Sequence, residues 1–181
     1  MPLRIVVNKG TAPTPQYVEP NTIVNRALRQ GNPNAGRAGG ITIPYITTDQ
    51  TGLRYKIQRG SKGEEIKFDT GTLLLRLRQE MFIANTLSEC KRRILISHEN
   101  GHVTDNQEIM NKMETAIRAN RILKDILIEP KWIPRIQFNA TQTTIQSTVA
   151  SIFRSLTDQA SAARDTQAEY KRINDEMKKC P

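Results

Sequence analysis

Ser97-His98-Glu99-Asn100-Gly101-His102 decides how the rest of the chain is read. It is an H-E-x-x-H segment, and it holds both of the protein's 2 histidines. On a helix, residues i and i+4 lie one above the other, about 6 Å apart along the axis. Both imidazoles then share a face and can hold one Zn²⁺ between them. Glu99 points off that pair and suits a general base that takes a proton from water. Arg93-Ile94-Leu95-Ile96, just upstream, supplies the apolar run of a buried helix. Gly101 stands between the histidines, where a missing side chain lets a strand or substrate come close. The plainer alternative is two exposed histidines on a helix beside an accidental glutamate.

Working upstream, Gly40–Thr47 alternates apolar and polar, with Pro44 confining it to an edge or an end. Leu53–Arg59 alternates cleanly, Gly60-Ser61-Lys62-Gly63 reads as a turn, and Glu65–Asp69 alternates again, which predicts a hairpin. Thr72–Arg78 fits strand or helix by pattern alone. A long helix starts near Leu87, with Ser88 as its N-cap. Downstream, Ile109, Met110, Met113, Ala116, Ile117, Leu123, Ile126 and Leu127 keep helical spacing, as a core face does. Pro130 and Pro134 close that stretch. A second amphipathic run begins near Asn139, with Ile145, Val149, Ile152, Phe153, Leu156, Ala160 and Ala163 on one face. It continues more weakly through Tyr170, Ile173 and Met177. Two long helices joined by a short turn pack antiparallel.

A catalytic zinc takes three protein ligands and a water. With no third histidine, the remaining ligand must be a carboxylate or a cysteine. With the helix turn centred at residue 133, His98 faces position 168 and His102 faces 164. With Cys90 opposite Cys180, the facing positions are 172 and 168. Both alignments fall near Glu169, the first choice, and Asp165, the second. Asp175 and Glu176 stay open if the second helix bends or breaks early. Glu169 reads equally as a surface carboxylate paired with Lys171 or Arg172. Asp105, one turn further along the histidine face, suits orienting a ligand. Tyr170 is a candidate to steady an oxyanion, or else a packed core tyrosine.

Around Cys90-Lys91-Arg92-Arg93-Ile94-Leu95-Ile96-Ser97-His98-Glu99-Asn100-Gly101-His102-Val103 the chain resembles the zincin metallopeptidases. The closer likeness is to small bacterial secreted zinc-dependent proteases, in which a strand and a cysteine precede L-x-x-H-E-x-G-H-V. It covers residues 66–128 well and is faint beyond. Toxin-type metalloproteases carry H-E-x-G-H-x-x-D, matched here through Asp105. The resemblance implies zinc, peptide-bond hydrolysis and a sheet edge above the motif helix, which favours a strand at Thr72–Arg78. It also includes a tyrosine followed by an acid near the C-terminus; here Lys171 follows Tyr170.

The expected fold is therefore α+β. A small antiparallel or mixed sheet lies over the long H-E-x-x-H helix, and a second long antiparallel helix follows in a minimal zincin-like arrangement. Residues 1–40 read as a loop-rich N-terminal extension and 41–181 as the metallopeptidase domain. Five of the 9 prolines (Pro2, Pro13, Pro15, Pro20, Pro33) and five of the 10 glycines (Gly10, Gly31, Gly36, Gly39, Gly40) fall in the extension. Within it, Leu3–Val7 suits a strand and Thr22–Leu28 a short helix. Gly36–Gly40 lacks the Gly-Lys-Ser/Thr of a phosphate loop.

Lysine and arginine number 27 against 18 acidic residues, a net charge of +9. No aromatic-interleaved basic patch accompanies it, so a solvated basic surface is expected and no specific nucleic acid. No run approaches 18 apolar residues, so no membrane span is expected. Met1-Pro2-Leu3-Arg4 lacks the apolar segment of a signal peptide. The chain either stays in the cell or is secreted or delivered into a target cell or compartment by another route. Cys90 and Cys180 are a disulfide worth ~4 kcal/mol in the chain-entropy model, or two free thiols. A bridge implies an oxidising destination.

These expectations meet in a zinc endopeptidase acting on a protein or peptide substrate, an effector or toxin protease with an inhibitor or immunity partner. His98, His102 and Glu169 hold the metal, with Glu99 and Tyr170 at the reaction. Hydrolysis of cell-wall peptide cross-links is the second enzymatic expectation. A non-enzymatic basic helical binding module is the third.

Overall fold

A computed structural model of the chain describes residues 3–30, 39–61 and 63–181. The loop reading of Gly31, Pro33 and Gly36, and Lys62 within the expected turn, lie outside them. The short N-terminal elements are β1 (Leu3–Asn8), β2 (Pro15–Val18) and α1 (Pro20–Arg29). Pro20 opens α1 at a position where its missing N–H costs no hydrogen bond. The two alternating stretches become long strands, β3 (Gly40–Gly60) and β4 (Gly63–Ala84). Then come α2 (Glu89–Ala119), α3 (Arg121–Leu123) running into a π-helical turn at Lys124–Ile128, and β5 (Ile133–Pro134). The chain ends with α4 (Phe138–Arg164) and α5 (Gln167–Met177).

The fold is α+β, and its sheet is mixed. β4 is the strand that the others join. β1 pairs with it in parallel, Ile5 opposite Leu73, and β2 pairs with it in parallel, Tyr17 opposite Ile83. β5 pairs antiparallel, Ile66 opposite Ile133, and β3 also pairs with β4. The wholly antiparallel alternative does not hold, because β1 and β2 run alongside β4 in its own direction. Burial explains the pattern of β4. Ile66, Phe68, Leu73, Leu75 and Leu77 alternate with more exposed neighbours, whereas Met81–Ala84 is buried without interruption.

The described residues fall into two compact units, and β3, β4, α2 and α4 contribute to both. The first gathers Met1–Lys9, Ile46–Leu77 and Glu108–Leu156. Its helical stripe is core, as spacing predicts: Met110, Met113, Ile117, Leu123, Leu127, Ile145 and Val149 have no exposed surface. Tyr55 meets Phe138 and Phe68 edge-on, with ring centroids 4.9 Å and 6.0 Å away. Gly71 takes φ +144°, and a Cβ there would overlap the Gly52 carbonyl oxygen, so β3 and β4 approach at a place only glycine permits.

The second unit gathers Gly10–Tyr45, Arg78–Gln107 and Thr157–Pro181. One cluster packs Ile23 and Ala27 of α1 on Ile41, Ile43, Phe82 and Ala84. The other joins Met81 and Ile83 to Leu95, Val103 and Ile173. Cys90 and Cys180 form a disulfide.

Both helical stretches read as continuous are interrupted. α2 stops at Ala119, and the Asn120 side chain accepts a hydrogen bond from the Leu123 N–H to start the next turn. The second stretch breaks at Asp165–Thr166. Thr166 then caps α5, its hydroxyl oxygen accepting from the Glu169 N–H at 3.2 Å. Among the described residues, no helix is long and apolar enough to cross a membrane.

Candidate metal centre

Leu95, buried among Met81, Ile83, Val103 and Ile173, fixes which face of α2 turns inward. His98 and Glu99 follow on that side, only 7% and 4% exposed, and His102 is half-buried one turn on. The two imidazole rings stand edge-on with centroids 4.9 Å apart. Across from α2, the pairs Asp105–Arg164, His102–Asp165, His98–Glu169 and Cys90–Cys180 ascend one strand of chain as they descend the other. That is the signature of antiparallel packing.

Three donors converge. His98 Nε2 and His102 Nε2 are 3.3 Å apart, and Asp165 Oδ1 lies 3.2 Å from the first and 3.0 Å from the second. A tetrahedral ion with bonds of about 2.0–2.1 Å separates its donors by about 3.3 Å. The three edges thus match one face of a zinc site, and two imidazoles with a carboxylate match its usual chemistry. Among the described residues, this is the group of side chains whose ligand atoms are close enough to share an ion.

Asp165, the second choice from sequence, faces the Nε2 atoms. Glu169, the first choice, lies on the other side of His98, its Oε1 3.4 Å from Nδ1. Arg172 donates to both Glu169 oxygens, at 2.8 Å and 2.6 Å, so the surface pairing weighed for Glu169 is present too. A carboxylate at Nδ1 selects the tautomer that turns the Nε2 lone pair toward the other donors. Asp175 pairs with Lys178, Glu176 with Arg172, and neither joins the group. Tyr170 is half-buried with its ring 6.4 Å from that of His98.

The Glu99 carboxylate reaches β3. Thr42 Oγ1 donates to its Oε2 at 2.8 Å, and a Cβ on Gly40 would stand 3.1 Å from its Oε1. Burial pushes the Glu99 carboxyl up, against the opposing pull of His102, Thr42 and His98. Burial also disfavours charge on Asp165, but hydrogen bonds from His102 and His98 outweigh it and hold the carboxyl far below the usual range. For His98, burial lowers basicity and the bond to Asp165 with the field of Glu99 more than restores it. Arg172 keeps Glu169 low.

Comparison with family models, curated proteins and solved structures gives no match. What the arrangement can do chemically rests on its own donors and their neighbours.

Three of those neighbours escape sequence reasoning. Thr42 and Gly40 sit on β3, where no local pattern marks them. Arg164 is the third. Its guanidinium, rather than a strand or substrate, occupies the space left by Gly101, and it binds Asp105 through two hydrogen bonds of 2.5 Å and 2.7 Å. Asp105 thus holds Arg164 and touches neither histidine ring nitrogen among the bonds present. The helix break that delivers Asp165 did have a signal, Thr166-x-x-Glu169, the spacing of a capping box.

Proposed function

We propose that the protein is a zinc-dependent endopeptidase of a minimal zincin-like kind. The observation that carries this is the donor triangle of 3.0, 3.2 and 3.3 Å with a buried carboxylate, Glu99, on the adjacent helix position. His98 and His102 would hold the ion through Nε2 and Asp165 through Oδ1. Bound there, zinc supplies Lewis acidity toward a peptide carbonyl. Glu99 takes the proton of the attacking water on Oε1, the oxygen Thr42 leaves free, and hands it to the leaving amine nitrogen. Glu169 orients His98 from behind. Tyr170 is the side chain to steady the carbonyl oxygen as it gains charge.

A peptide substrate is favoured by β3. Gly40–Tyr45 runs past Glu99, and among the described residues β3 has β4 as its only sheet partner. Its other edge offers backbone groups to an extended chain. The Cys90–Cys180 bridge suits secretion or delivery to an oxidising place, as expected of an effector or toxin protease. The charge of +9 also suits an anionic cell-wall polymer, so cross-link hydrolysis remains the second reading.

Protein purified without chelator is expected to carry about one zinc by elemental analysis. Glu99→Gln should keep that zinc and lose hydrolysis of unstructured protein substrates, whereas His98→Ala should lose both. Undiminished hydrolysis by the Glu99→Gln variant would sink the assignment of the base. Digesting purified wall material in parallel separates the two substrates. A chain that binds no zinc favours the basic binding module.

A further inference from the structure

Asp165 lies in the short gap between α4 and α5, where no helix fixes it from both sides. A metal ligand in a gap is precise only if its neighbours are held. Thr166 is held from the α5 side by its bond to the Glu169 N–H. On the α4 side the adjacent residue is Arg164, and its environment is unusual. The guanidinium lies beside α2 at Gly101, the residue just before His102, in the space a side chain would fill. A Cβ there would overlap Nη1 and stand 2.6 Å from Cζ. The same guanidinium is gripped by both carboxylate oxygens of Asp105, Nε to Oδ2 at 2.5 Å and Nη2 to Oδ1 at 2.7 Å. A bidentate pair fixes direction as well as distance.

We propose that Gly101, Asp105 and Arg164 form a clamp that positions Asp165 as the third metal ligand, making Arg164 a positioning residue for zinc binding. This rests on the zinc reading given above. Gly101 leaves the space for the guanidinium, Asp105 supplies the two acceptors, and Arg164 transmits the position of α2 to the next residue in the chain. The clamp explains why a glycine is placed inside a helix, where it costs roughly 1 kcal/mol relative to alanine.

The clamp makes a prediction that simple electrostatics reverses. Removing a cation beside a divalent ion should tighten metal binding if charge is all that Arg164 contributes. Loss of positioning should weaken it. Gly101→Ala gives a second reversal: alanine favours the helix, so it should keep or raise the melting temperature of the metal-free protein while displacing the guanidinium.

The test is zinc affinity of the full-length protein by competition with a chromogenic chelator, read beside metal-free melting temperature. Arg164→Gln and Gly101→Ala are each expected to bind zinc about 10–100-fold more weakly, the range seen when outer partners of a metal site are lost. The melting temperature of metal-free Gly101→Ala should not fall. A change below about tenfold in either folded variant, or tighter binding in Arg164→Gln, overturns the clamp. Should Arg164→Gln fail to fold, Gly101→Ala alone decides. A parent protein that binds no zinc overturns the proposed function itself, which separates that failure from this one.

Discussion

Glu99 is a carboxylate with almost no water around it, and its usefulness depends on what replaces that water. Thr42 Oγ1 supplies one hydrogen bond at 2.8 Å, and the absent side chain of Gly40 leaves room beside the other oxygen. A hydrogen bond to a charged group contributes about 1.5–3 kcal/mol, and leaving its partner buried and unpaired costs a similar amount. Thr42→Val should therefore lower hydrolytic turnover about tenfold or more at unchanged zinc content, measured by kcat and elemental analysis on one preparation. Equal turnover in the two proteins would show that Thr42 does not hold the base. His98, Glu99 and His102 are legible in the sequence because helical periodicity alone brings them together. Thr42 is not, since it stands 57 residues away and no local pattern sets that end of β3 against α2.

The break between α4 and α5 bears on which carboxylate lies at the Nε2 side of the histidines and which at Nδ1 of His98. The apolar stripe from Ile145 to Ala163 runs on toward Tyr170 and Ile173, and continuity of the stripe masks the break. Reading the stretch as one helix put Glu169 foremost; the break lets Asp165 turn to the Nε2 side. The pairing order along α2 was nonetheless readable from loop position and from the cysteines. Among the strands, the β3–β4 turn was legible and the parallel partnerships of β1 and β2 were not, because parallel neighbours meet across long stretches of chain. Thr166→Ala removes the cap of α5 and should cost about 1 kcal/mol. For a chain of this size that lowers the melting temperature by about 2–4 °C, measurable by circular dichroism. An unchanged melting temperature would mean α5 is held by Ile173 and the disulfide alone.

At the scale of the whole molecule, the disulfide is the strongest single constraint on the unfolded chain. It joins residues 90 apart in sequence. In the chain-entropy model a ring of that size contributes about 4–5 kcal/mol. Replacing both cysteines, as Cys90→Ser with Cys180→Ser, should lower the melting temperature by on the order of 10 °C. A drop no larger than that of Thr166→Ala would show that the unfolded chain is already constrained in another way. The two cysteines were legible as a pair, but their spacing alone left free thiols open. Proximity of the first turn of α2 to the end of α5 closes the question.

The same covalent ring runs from residue 90 to residue 180 and contains His98, His102 and Asp165, the three residues of the candidate metal centre. It also contains Arg135–Ile136, a basic residue followed by an isoleucine that is 92% exposed. A trypsin-like nick there divides the polypeptide without releasing a fragment. His98 and His102 stay tethered to Asp165 through sulfur, and the two pieces part on a gel only when a reductant is added.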